Sequence, residues 1–149
     1  MTEINFFLLH VDLVVENIER EITFYKDVLG LEVLEDCVLN NEACLFLSEG
    51  KARSMRLVFL GKNKRSTMIE LVQFLDDSGK PIQISHLKFK WNLSFFVDDL
   101  EDTQQHFLNK GFKPLTSQYE IALSNLGRSK VIFYQDPEGF LLEIIAPVY

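Results

Sequence analysis

The chain repeats itself, and the repeat limits the folds open to it. Leu9-His10-Val11-Asp12-Leu13-Val14-Val15-Glu16-Asn17-Ile18-Glu19 lies against Trp91-Asn92-Leu93-Ser94-Phe95-Phe96-Val97-Asp98-Asp99-Leu100-Glu101 at a constant offset of 82. In each copy an apolar strand ends in valine, then come an acidic residue, Asn or Asp, and Ile or Leu. Asn17 and Asp99 stand where a helix needs its N-cap, and their side-chain oxygens can accept the first free backbone N–H groups. The pattern predicts helices over residues 18–28 and 100–109, the first with an apolar stripe of Ile18, Ile22, Tyr25 and Leu29. Gly30 and Gly111 follow as left-handed terminators.

Three strand-like runs follow each helix, rich in Val, Ile, Phe and Leu and bounded by turn residues. In the first half they are 34–39 or 43–47, then 56–60 and 68–74. In the second they are 119–123, 130–135 and 141–146. Asp76-Asp77-Ser78-Gly79-Lys80-Pro81 has turn chemistry and begins a linker. The expected architecture is α+β: two tandem βαβββ modules forming a curved mixed sheet around a central cleft. The first module covers residues 1–75, the linker 76–88 and the second module 89–149, in one compact structural domain.

A chain of 149 residues can bury a core without disulfides or a structural metal. Its net charge of −7 and lack of a concentrated basic face argue against nucleic acid or an anionic membrane as partner. No apolar stretch approaches the roughly 18 residues of a membrane span, and no signal peptide is legible. The expected location is the cytoplasm. Asn40-Asn41 reads as a two-residue hairpin turn that sets Cys37 opposite Cys44. A disulfide is conceivable there, but two packed free thiols are expected in a reducing compartment.

Alternation along the strands selects candidate site residues. Leu9, Val11, Leu13 and Val15 should face the first helix, leaving His10, Asp12 and Val14 on the other side. Leu93, Phe95 and Val97 should face the second helix, leaving Asn92, Ser94 and Phe96 opposite. The runs Met68-Ile69-Glu70-Leu71-Val72 and Leu141-Leu142-Glu143-Ile144-Ile145 each carry one carboxylate at equivalent places. A carboxylate in an apolar run must neutralise, pair or coordinate a cation. Two carboxylates and a histidine converging across a pseudo-twofold axis point to a divalent metal. Val72, Phe74, Tyr134 and Arg128 complete the expected substrate cleft.

These residues carry a family resemblance over nearly the whole chain. Leu9-His10-Val11 with Phe24-Tyr25-Lys26-Asp27-Val28-Leu29-Gly30-Leu31 resembles the opening of glyoxalase-type proteins. Asp136-Pro137-Glu138-Gly139-Phe140-Leu141-Leu142-Glu143 resembles their closing strand, and Leu93–Leu100 the start of their second module. The chain thus resembles the vicinal oxygen chelate superfamily of glyoxalase I, bleomycin-resistance proteins and extradiol dioxygenases. The resemblance implies metal ligands at His10, Glu70, Asn92 and Glu143. Metal-dependent members usually have histidine where this chain has Asn92. Glutathione-dependent members resemble one another in an arginine where this chain has Val14, which disfavours glutathione. Extradiol dioxygenases use two histidines, and only His10 stands at a ligand position here.

The resemblance implies a metal-dependent isomerase, epimerase or lyase acting on a small carbonyl or hydroxy compound. Glu143 or Glu70 would move the proton, with Asp12 as a further candidate base. Ni, Co, Zn, Mn or Fe would be the cofactor, or none if Asn92 has cost the site its metal. The alternatives are a metal-free, bleomycin-resistance-like binding protein and, third, an extradiol-type dioxygenase. A homodimer is the expected assembly.

Overall fold

The computed structural model describes residues 3–135 and 141–149. Residues 136–140, part of the closing motif, lie outside the described residues. The chain divides into two compact units: an inner one, Val11–Trp91, and a flanking one formed by Met1–His10 with Asn92–Tyr149. The division falls within strand β1 (Phe7–Val14), between His10 and Val11.

In the inner unit, β1 leads through Asn17 into α1 (Ile18–Asp27), whose cap side chain accepts from Arg20 N–H at 3.0 Å. Gly30 closes the helix with φ +67°, a backbone state that costs other residues about 1–2 kcal/mol. Leu31 N–H then returns to the Tyr25 carbonyl at 3.0 Å. Next come β2 (Glu32–Leu39), α2 (Glu42–Leu47), β3 (Ser54–Gly61) and β4 (Met68–Leu75). The strand order is β2-β3-β4-β1, antiparallel from β2 to β4. Ile18, Val58, Leu60 and Leu71 form the core under α1, with Leu13, Val15, Ile22 and Tyr25 packed against it. The two-residue pleat then places Cys37, Leu57, Phe59, Glu70, Val72 and Phe74 on the opposite face.

The flanking unit repeats the plan. β5 (Trp91–Phe96) runs through Asp99, which accepts from Asp102 N–H at 2.9 Å, into α3 (Leu100–Asn109). Gly111 has φ +89°. β6 (Tyr119–Leu123), β7 (Gly127–Gln135) and β8 (Leu141–Pro147) follow, ordered β5-β8-β7-β6, with β5 parallel to β8 and the rest antiparallel. Val97, Leu100, Ile132, Tyr134, Ile144 and Ala146 form the core beneath α3. Tyr134 stacks on Phe107 with ring centroids 4.1 Å apart.

One stretch departs from expectation. Residues 43–47 are not a strand, and Asn40-Asn41 is not a hairpin turn. Asn41 caps α2, its side-chain oxygen accepting from Cys44 N–H at 3.3 Å, and Ala43, Cys44 and Leu47 are buried. Asparagine's short oxygen serves a turn or a cap equally well, and here burial of one helical face decides for the cap. β2 pairs instead with β3, so that Cys37 faces Leu57; Cys37 and Cys44 are both free thiols. No helix among the described residues is long and apolar enough to cross a membrane.

Candidate metal centre

Along β1 the polar side is the more deeply buried one. His10 and Asp12 are buried, while Leu9, Val11 and Leu13 are only half-buried. Two residues apart on one strand, they project from the same face.

In the flanking unit, His10 Nε2 lies 3.6 Å from Glu143 Oε2. Glu143 is in register with Ser94 on β5 and with Phe133 on β7. Asn92 and Ser94 are buried on the same side of β5. Among the described residues neither Asn92 Oδ1 nor Ser94 Oγ has a hydrogen-bond partner. Leaving such an atom unsatisfied costs about 1–3 kcal/mol. Imidazole nitrogen, carboxylate and amide oxygens form a donor set that a divalent cation satisfies.

The inner unit carries the matching pair. Asp12 and Glu70 are buried, with carboxylate oxygens within 4.8 Å of one another. Glu70 is in register with Phe59, as Glu143 is with Phe133, so the internal repeat reaches the cross-strand neighbours of the two glutamates. Val72 and Phe74 share the Glu70 face, and Phe96 shares the Ser94 face. Val14, two residues beyond Asp12, shares its side of β1.

Two residues expected in the substrate cleft sit elsewhere. Tyr134 alternates with Phe133 and belongs to the core under α3. Arg128 shares that helix-side parity and is exposed, with its guanidinium 2.8 Å from Glu120. Alternation counted back from Glu143 through its partner Phe133 excludes both from the Glu143 face. His106, on α3, lies against Phe6 with centroids 6.2 Å apart.

The sequence reading passed over Glu35. It is only 2 % exposed and in register with Phe59, which places it on the Glu70 face. A register shift between Val33 and Glu35 hides it, because it breaks the alternation through which the residue would be noticed. Two positions on, burial first and then the charges of Glu35 and Asp36 push the Cys37 thiol up to about 11.

Comparison with known proteins agrees with this fold. The family model of the Glyoxalase/Bleomycin resistance protein/Dioxygenase superfamily matches residues 7–144. The uncharacterized protein YraH of Bacillus subtilis is 27 % identical over 137 residues, 92 % of this chain and 95 % of its own. Methylmalonyl-CoA epimerase from Mycobacterium tuberculosis superposes with a TM-score of 0.65 at 21 % identity, over 95 % of this chain and 88 % of the epimerase. A mutant of 4-hydroxymandelate synthase from Streptomyces coelicolor superposes with a TM-score of 0.65 at 16 % identity, over 96 % of this chain and 48 % of the synthase. At these identities the two structures share the fold.

Proposed function

We propose, since this chain belongs to the Glyoxalase/Bleomycin resistance protein/Dioxygenase superfamily, that it is a metal-dependent isomerase, epimerase or lyase acting on a small carbonyl or hydroxy compound. Members of the superfamily often use divalent metals. His10 and Glu143 would hold the ion here, with Asn92 Oδ1 as a further oxygen donor and Glu70 the remaining ligand that the family resemblance implies. One observation carries the reading. His10 and Asp12 share one face of one strand, and each meets the glutamate of a last strand, Glu143 or Glu70.

A divalent ion held there would supply Lewis acidity to the substrate carbonyl. The chain's own residues do the rest. Glu143 or Glu70, whichever the ion does not hold, takes the proton from the carbon beside the carbonyl; the C–H electron pair becomes a C=C bond and the carbonyl π pair moves onto oxygen. Return of that proton to the other face of the now planar carbon gives an epimer. Return to the neighbouring carbon gives an isomer. Val14, Val72, Phe74 and Phe96 keep water from the exposed carbanion character. We place the protein in the cytoplasm as a homodimer, which light scattering on the purified chain tests.

The decisive experiment is metal content by mass spectrometry after reconstitution with Ni, Co, Zn, Mn and Fe. Wild type should hold about one ion per chain, lost in both His10→Ala and Glu143→Ala. Glu143→Gln should abolish turnover. No ion under any condition would sink the proposal and leave sequestration of a ligand as the working function.

A further inference from the structure

The internal repeat matches more than helix caps. At its offset of 82, Asn92 stands where the first copy has His10, and Ser94 where it has Asp12. The second copy thus replaces an imidazole and a carboxylate by an amide and a hydroxyl, each of which offers an oxygen but carries no charge. Both residues are buried, and Ser94 is 0 % exposed. Among the described residues Asn92 Oδ1 and Ser94 Oγ lack hydrogen-bond partners. Folded proteins leave few buried polar atoms in that state, because each gives up its bonds to water without replacement. The Tyr134 hydroxyl is in the same state, but it lies on the helix side of β7 among Val97, Leu100, Ile132, Ile144 and Ala146, where its neighbours are apolar. Asn92 and Ser94 instead share one face of β5 with metal-ligating side chains beside them. Ser94 is in register with Glu143 on the adjacent parallel strand, roughly 4.8 Å away at the backbone. Glu143 Oε2 in turn lies 3.6 Å from His10 Nε2. All four residues belong to the flanking unit.

We infer that Ser94 Oγ is an oxygen donor to the divalent ion, beside His10, Glu143 and Asn92. The inference rests on the metal reading proposed above and adds a ligand to it. A serine hydroxyl offers a lone pair while keeping its proton, so the site gains a donor without gaining charge. With Ser94 the flanking unit supplies one nitrogen and oxygens from a carboxylate, an amide and a hydroxyl, a set suited to a hard or borderline ion. The unsatisfied hydroxyl destabilises the ion-free protein, and coordination removes that penalty. Ion loading and stability are therefore coupled at this residue.

Cobalt(II) alone is the probe, titrated into ion-free wild type, Ser94→Ala and Ser94→Cys. Calorimetry reads the affinity, absorption the spectrum and circular dichroism the melting temperature. Residues that only support a metal ligand commonly contribute about tenfold or more in affinity, and a direct donor should contribute at least as much. Ser94→Ala should therefore bind cobalt at least about tenfold more weakly than wild type. Without ion it should melt no lower than wild type, since the change deletes an unsatisfied hydroxyl. At equal cobalt concentration its melting temperature should rise less. Ser94→Cys should bring a thiolate-to-cobalt charge-transfer band into the near ultraviolet. Wild type, with Cys37 and Cys44 as free thiols, is the blank for that band. Cobalt held as tightly by Ser94→Ala as by wild type, or held by Ser94→Cys without the band, would overturn the inference and leave the metal reading of His10 and Glu143 standing. No cobalt in wild type would overturn both. If Ser94→Ala melts below wild type without ion, its weaker binding reports folding, and the band in Ser94→Cys decides.

Discussion

Replacing Tyr134 by phenylalanine should make this protein more stable. Tyr134 is 1 % exposed, and among the described residues its hydroxyl has no hydrogen-bond partner. The ring itself is well used, stacked on Phe107 and packed among Val97, Leu100 and Ile144. In the unfolded chain water satisfies the hydroxyl, so folding strips it of hydrogen bonds without replacement. That desolvation costs about 1–3 kcal/mol in proteins. It also pushes the phenol's pKa up, burial being the cause. Tyr134→Phe deletes the penalty and keeps the ring. The net gain should be about 1–2 kcal/mol, or a Tm rise of about 3–6 °C for a chain this long. Urea unfolding followed by circular dichroism measures it: the midpoint should rise and the slope stay constant. Because Tyr134 lies on the helix side of β7, ion content should not change. An unchanged or lowered midpoint would refute the reasoning, since the hydroxyl would then have a partner inside the core.

Further outcomes follow from other parts of the structure. At pH 8 iodoacetamide should label Cys37 about a hundredfold more slowly than a thiol of pKa 9, because the raised pKa leaves that much less thiolate; peptide mass spectrometry reads the rate, which should climb until the pH nears 11. Glu35→Gln should speed that labelling, since the Glu35 charge helps hold the proton on. Arg56→Met should cost about 1 kcal/mol in urea unfolding at low salt, and less at 1 M salt, through loss of its two-pronged contact with Asp36 at 2.9 and 2.8 Å. Gly30→Ala and Gly111→Ala should each lower stability by about 1–2 kcal/mol in thermal scans, because both positions need positive φ.

Much of the fold was legible because the same signals occur twice. Asn17 and Asp99 cap their helices as their place in the repeat predicts, and residues 119–123 form a strand with those bounds. Alternation along β1 and β5 set Leu13, Val15 and Phe95 against the helices and His10, Asp12, Asn92 and Ser94 away from them. Pattern failed where one residue type serves two geometries, as at Asn41, and where the period slips, as at Glu35. Tyr134 and Arg128 were misplaced for a different reason. Aromatic and cationic character suggested a ligand, but parity along β7 is set by its pairing with β8, and that register is a long-range fact.

The flanking unit is assembled from chain segments made far apart in time. Ile4 packs on its core, and Phe6 lies edge-on to Phe95 and Phe107, yet the whole of Val11–Trp91 separates these residues from their partners. At ribosomal speeds that gap is roughly ten seconds. During it the inner unit can close its own local pairings, while Phe6, Phe7 and Leu8 wait without their β5 and α3 neighbours. The strand that carries both His10 and Asp12 is therefore secured in two instalments, its Asp12 end first.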